Sequence, residues 1–513
     1  MVKNNTQPYI NAIFDYVVEL KGQYKYRLNQ VFELEESKEN IKLLLISATE
    51  DKAYCLTNAR PGMLKVGMHV KESNNIEAVR TNKALFGKVI DIANNVLYSE
   101  GANKADSYYA HENQPFNKPN ELLEYEPLTE QLSTGYISVD LLIPIGKGQR
   151  ELIIGDRKTG KTHIALNTII NQKHKNVKCI YVAIGQPQSQ VADVYNTLKK
   201  HEALDYTMII DASSNSPFDQ YLAPYIGMAH AENISRENDA LIIFDNLTNH
   251  ANIYREIALL INKPVGKEAF PGDMFYAHSR LLERSGKFKN RNTITALPIL
   301  QTIENDITSA IASNIISITD GQIVTNCELF ALGKLPAIDI DLSVSRIGGN
   351  VQKSYISKVA GEIGKIYRSY KRQIKLALLK YDLNDETSNL INNGALVESM
   401  FIQKGISVYS EHTMFLTSKL ISWEILKGID DIPLAIKFVN EMLKIDDLSK
   451  ELFQNLLVNK VADESLVKNY FAFNLMEYSR IYNLGWSIEL DGEFFAKDKS
   501  FYEQINNKII GVK

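Results

Sequence analysis

The chain has 513 residues, 45% of them hydrophobic and 23% charged, long enough for two to four domains with buried cores. A net charge of −4 and a pI near 6.2 give no global electrostatic reason to bind nucleic acid or an anionic membrane. Cys55, Cys179 and Cys327 lie far apart in no CxxC or metal-ligand spacing, so nothing points to a disulfide-built secreted domain and a cytosolic setting fits.

The first residues, MVKNNTQPY, lead into no apolar stretch of signal-peptide length, and no run approaches 18 apolar residues. Membrane association is therefore expected only through partners. From about 8 to 85, short β-branched segments such as YVVEL (16–20), IKLLLISA (41–48) and KAYCLTN (52–58) alternate with polar or Gly/Pro turns. They predict a small β-barrel over 1–85. The polar stretch 99–120 reads as a surface linker, with Tyr108, Tyr109 and His111 as a candidate contact site.

Apolar strands then alternate with helical segments, predicting an α/β domain over 86–350 with a mainly parallel sheet covered on both faces. Expected strands are 151–155, 179–185, 206–211, 240–245, 293–300 and NIISIT (314–319), and Cys179 and Cys327 are expected to be buried thiols within apolar segments. After 350 the spacing of Ile356, Val359, Ile363, Ile366, Tyr370 and Ile374 marks an amphipathic helix. A helical bundle over 351–513 is expected.

ELIIGDRKTGKT places Gly155, Gly160, Lys161 and Thr162 in the G-x-x-x-x-G-K-T pattern, between an apolar strand and an amphipathic helix. The glycines free the backbone to turn its N–H groups onto phosphates, and the helix adds its positive N-terminus. The loop residues Gly155, Asp156, Arg157, Lys158, Thr159, Gly160 and Lys161 are thus candidate nucleotide contacts. Thr162 is a candidate Mg²⁺ ligand, and Asp245, closing the apolar run LIIFD, is its expected partner in holding the metal.

Long blocks around these motifs resemble the alpha subunit of F-type ATP synthase: EPLTEQLSTG, INQKHKNVKCIYVAIGQ, LIIFDNLT, GKEAFPGDMFYAHSRLLERSGK and LPAIDIDLSVSRIGG. The resemblance implies a RecA-like core between an N-terminal β-barrel and a C-terminal helical domain. It also implies a hexamer alternating with a beta-type catalytic subunit around a gamma-type shaft, bound ATP or ADP with Mg²⁺, and a peripheral place on the cytoplasmic face of the membrane. Where the catalytic subunit has its glutamate, this chain has Gln186, which cannot act as a base near neutral pH. Its own site is therefore expected to hold nucleotide without turning it over. Arg346 matches the arginine finger inserted into the neighbouring site, an effect on the order of 10³–10⁵ in rate for such fingers, and Ser343 is expected to shape that contact. His278, in the PGDMFYAHSRLLER segment, reads as structural.

The sequence departs from that family at several points. Lys158 replaces a usual Gln, Asn246 a second Asp, and Leu335 an Arg beside the nucleotide. The turn that accompanies adenine has no clear counterpart around Gln403 to Ser407, and barrel-like sequence begins near Tyr9 without a preceding amphipathic helix. These departures point to a specialised F-like ATPase, of the kind found in some wall-less bacteria, driving a task such as gliding. The alternatives are the ordinary proton-translocating synthase and, in another class, a Rho-like hexameric RNA translocase. A self-sufficient hydrolase would need a carboxylate at position 186.

Overall fold

The structure is a computed structural model that describes residues 7–35, 41–73, 77–100, 105–377, 385–461, 463–492, 494 and 496–511. The chain forms two compact units. One comprises Met1–Thr134, Ile145–Gly333 and Ala337–Ile347, the other Gly135–Pro144, Lys334–Pro336 and Gly348–Lys513.

The first unit opens with a six-stranded antiparallel sheet in the order β1-β2-β5-β4-β3-β6. Its strands are β1 (Tyr9–Phe14), β2 (Val17–Lys21), β3 (Val31–Leu34), β4 (Lys42–Ala48), β5 (Lys52–Thr57) and β6 (Val70–Glu72). Ile10, Val18, Leu20, Phe32, Leu43, Leu45 and Cys55 close its own apolar core. Strand β7 (Val79–Asn82) leaves this sheet and pairs with β10 (Tyr108–Asn113). The stretch expected to be a bare linker is therefore partly a strand. Within it Tyr109 is buried and donates to Asn238, far along the chain, whereas Tyr108 stays exposed under Arg80. Tyrosine alternating with polar residues is legible as a strand only once a partner edge is known.

A ten-stranded sheet forms the centre of the unit. Seven strands run parallel: β8 (Val89–Ile90), β13 (Glu151–Gly155), β14 (Val177–Ile184), β15 (Thr207–Ala212), β16 (Asp239–Asp245), β18 (Arg291–Gln301) and β19 (Gly321–Thr325). Antiparallel additions are β9 (Val96–Tyr98), β17 (Gly286–Phe288) and the edge strand β20 (Ile338–Ser345), while β11 (Gln131–Leu132) and β12 (Ile145–Gly146) pair separately. The order β13-β18-β16-β14 brings the carboxyl ends of four parallel strands to one side, where open α/β sheets bind ligands.

NIISIT, expected to be a strand, is helical: Ala310–Ile318 forms a helix whose N-cap Ser309 accepts from the Ala312 amide. Buried Ile311 and Ile315 stand four apart, the helical step, and the strand is the following GQIVT. Cys55 and Cys179 are buried, but Cys327 is half-exposed, because it opens the short helix Cys327–Ala331 instead of sitting inside a strand.

The second unit is helical. Its long helix Ser354–Ala377 buries Tyr355, Ile356, Val359, Ile363, Tyr367 and Tyr370 along one stripe. Gly394, on the helix Asp385–Phe401, lies so close to Tyr370 that a Cβ there would sit 2.2 Å from the Tyr370 Cβ. Further helices are Glu411–Ser422, Ile432–Ile445, Asp447–Leu457, Glu464–Tyr482 and Lys499–Ile510.

Candidate nucleotide site

Strand β13 ends at Gly155, where a Cβ would come within 2.0 Å of the Thr325 hydroxyl and 2.5 Å of its carbonyl oxygen. Only glycine lets the chain pass β19 here and turn into the loop. Thr159 pins that loop, donating to the Asp156 carbonyl at 2.8 Å and sharing a 2.6 Å hydrogen bond with Thr325. The Asp156 carboxylate ties it to the end of β18 by accepting from the Thr302 hydroxyl at 2.5 Å and the Asn305 amide at 2.9 Å. Burial acts to raise the Asp156 pKa, but these hydrogen bonds prevail and hold it below the usual carboxylate range. Gly160, at φ +91°, caps the helix Lys161–Ile170, whose first N–H groups are unpaired within the helix.

Lys161 is 8% exposed, and its ammonium rests on the Asp156 carbonyl at 2.5 Å. Desolvation pushes its pKa down to about 8 against the opposing pull of Asp245 and Asp156. Asp245, at the end of β16, is buried, which raises its pKa. Its Oδ2 accepts from the Thr162 hydroxyl at 2.7 Å and from the Tyr181 hydroxyl at 2.6 Å, and the Gln186 amide donates to Oδ1 at 3.0 Å. One carboxylate thus gathers the strand ends β14 and β16 and the first turn of the helix after the loop. Asn246 accepts from the Asn249 amide at 2.9 Å as N-cap of the helix Leu247–Leu260, a role that Asn fills as well as Asp.

A cleft of about 840 Å³ is lined by Arg157, Lys158, Gly160, Lys161, Thr162, Tyr181, Gln186, Asp245 and Phe330 among others. Of the predicted contact residues, Gly155, Asp156 and Thr159 shape the loop without lining the cleft, and the others line it. Sequence reasoning missed Tyr181 and Thr325, because a Tyr and a Thr in apolar strands carry no motif; only strand adjacency turns them toward Asp245 and the loop.

Arg346 and Ser343 do not line this cleft. Arg346 follows the edge strand β20 and is exposed, its guanidinium donating to the Thr319 carbonyl at 2.9 Å and the Ile316 carbonyl at 3.1 Å. A cation there complements the C-terminal end of the helix Ala310–Ile318. Ser343 is buried and serves the sheet, accepting from the Val324 amide at 2.9 Å and donating to the Asp339 carbonyl at 2.5 Å. In the second unit, the Gln403 side chain accepts from the Ile137 amide and donates to the Gly135 carbonyl and the Ser407 hydroxyl, while its own amide meets the Leu335 carbonyl. That glutamine is engaged in holding its own turn. His278 is fully buried against His250 at 3.1 Å, as a structural residue should be.

A parallel sheet whose strand ends carry a phosphate loop, with a buried Asp bonded to the Thr after the loop lysine, defines a P-loop nucleotide-binding protein. The sequence profile of the ATP synthase alpha/beta family, nucleotide-binding domain, matches residues 135–345. The chain is 43% identical to ATP synthase subunit alpha 2 of Mycoplasmopsis pulmonis over 96% of both chains. It is 40% identical to subunit alpha 1 of the same organism over 74% of this chain and 72% of that one. With ATP synthase subunit alpha of Acetivibrio thermocellus it shares 38% identity over 86% of this chain and 90% of that one. The chain belongs to the alpha subunits of F-type ATP synthase. It is therefore an ATP- or ADP-binding subunit of a larger complex. Among the described residues no helix is long and apolar enough to cross a membrane.

Proposed function

We propose that this subunit holds nucleotide without hydrolysing it and lends Arg346 to the catalytic site of a neighbouring beta-type subunit, in a hexameric head around a gamma-type shaft. The observation that carries this reading is the contact between Gln186 and Asp245. An amide fills the place from which a carboxylate would have to ready a water, and it cannot accept a proton near neutral pH.

The donor set fits Mg²⁺. A hydroxyl and a carboxylate, both hard oxygen ligands, meet 2.7 Å apart at the cleft, and Tyr181 and Gln186 orient the carboxylate. Thr162 and Asp245 would hold the ion, which when bound neutralises charge on the outer phosphates. The loop N–H groups and Lys161 grip those phosphates, and the pocket stops at binding.

Arg346 stands outside its own cleft beside an edge strand, the position a residue needs in order to act on a neighbour. Its anchoring to two carbonyls pre-orients the guanidinium. Arg346→Ala is expected to leave nucleotide binding by this chain unchanged and to lower ATP hydrolysis by the assembled head by roughly 10³-fold or more. Full activity of the Arg346→Ala assembly would overturn the reading.

The head belongs to a specialised ATP-driven motor, seated on the cytoplasmic face of the membrane through partner subunits, with gliding as one task of that kind. The alpha 2 relative comes from an organism that also has an alpha 1 subunit, and kinship with such a second copy is what supports this reading. Mass spectrometry of the native complex tests this. A full complement of ordinary stalk and proton-channel subunits would return the protein to the ordinary synthase.

A further inference from the structure

The phosphate loop carries more positive charge than gripping a phosphate requires. Besides buried Lys161, the cleft is lined by Arg157 and Lys158, both exposed on the loop. Among the described residues neither side chain has a hydrogen-bond or ion-pair partner, whereas Lys161 is tied to the Asp156 carbonyl. Lys158 also sits at φ +61°, a left-handed conformation that an ordinary L-residue adopts only at a cost. Its ammonium sits on a flexible stem, exposed and without a partner among the described residues.

The acidic groups lining the cleft are Asp193 and Asp245, and the latter is committed to Thr162, Tyr181 and Gln186. A ligand therefore meets an excess of mobile cation on the loop side. A nucleoside triphosphate brings one phosphoryl group and about one negative charge more than a diphosphate. That extra charge lies at the outer end of the chain, where an exposed cation on the loop rim adds its attraction to that of buried Lys161.

We propose that Lys158 makes this cleft select nucleoside triphosphate over diphosphate. The inference rests on the cleft being the Mg·nucleotide site and adds to it a cause of preference. A non-hydrolysing subunit built this way keeps a triphosphate resident while the diphosphate exchanges.

The test measures binding of Mg·ATP and Mg·ADP to the full chain and to Lys158→Gln, Lys158→Arg and Lys161→Ala, each checked for an unchanged melting curve. Lys158→Gln is expected to weaken Mg·ATP roughly tenfold while Mg·ADP shifts at most about twofold, and Lys158→Arg to keep the preference. Added salt should erode the wild-type preference, because the cation is exposed. If Lys158→Gln weakens both nucleotides equally, or neither, while Lys161→Ala abolishes both, the selectivity role fails and the site stands. If Lys161→Ala binds both as tightly as the wild type, the site itself is misassigned and the proposal falls with it.

Discussion

Lys161 shows how one side chain carries a pH dependence. Its pKa in the folded chain is about 8, lowered mainly by burial, against about 10.4 for an unperturbed lysine. Between these values the unfolded chain binds the proton that the folded chain has released. The stability of the ligand-free protein therefore rises with pH across that window, and the burial penalty is fully present below about pH 8. A bound phosphate restores the charged form, so nucleotide binding takes up a proton. Affinity is expected to be flat below pH 7 and to fall about tenfold per unit above pH 8. Calorimetry in two buffers of different ionisation enthalpy reads the uptake directly. Unchanged affinity from pH 7 to about 9.5 would contradict the assignment of Lys161 to the phosphates. Lys161 and its loop were legible from the motif alone. Tyr181 and Thr325 were not, since their roles arise from which strands lie side by side.

Among elements, the parallel strands were legible because burial on both faces makes them continuous apolar runs. The run NIISIT misled for the same reason: a short apolar stretch has no period of its own, and the choice of helix fell to the Ser309 cap and the position of the next strand. The region 99–120 shows the opposite failure, a strand hidden in polar sequence. Part of what holds its continuation in place is Arg284, 1% exposed, which forms an ion pair with buried Glu232 at 2.8 Å and donates to the Pro115 carbonyl at 2.6 Å. Removing one partner of a buried pair leaves the other charge without compensation. Arg284→Ala is expected to cost about 3–5 kcal/mol in chemical denaturation. A loss below about 1 kcal/mol would show that water replaces the guanidinium cheaply.

For the whole molecule, the edge strand β20 carries Leu342 at 47% and Val344 at 44% exposure on one face, while Ser343 between them is buried. An exposed apolar edge invites pairing with another chain and is normally covered. Val344→Lys is expected to leave the melting temperature of the single chain nearly unchanged and to reduce recovery of the assembled head by size-exclusion chromatography of co-expressed subunits. Assembly at the wild-type level would show that this edge is not an interface.

By itself the sequence determined the strand–loop–helix that meets phosphate, the amide at position 186, and the succession of β, α/β and helical segments. Each is local, set by backbone freedom, side-chain chemistry or hydrophobic period. Only the tertiary structure decided that Asp245 gathers Thr162, Tyr181 and Gln186, that Ser343 serves the sheet, and that Arg346 lies outside the lining of its own cleft. Those facts depend on strand order, because a parallel sheet brings together strand ends that lie 59 to 166 residues apart, and no local pattern records which ends those are.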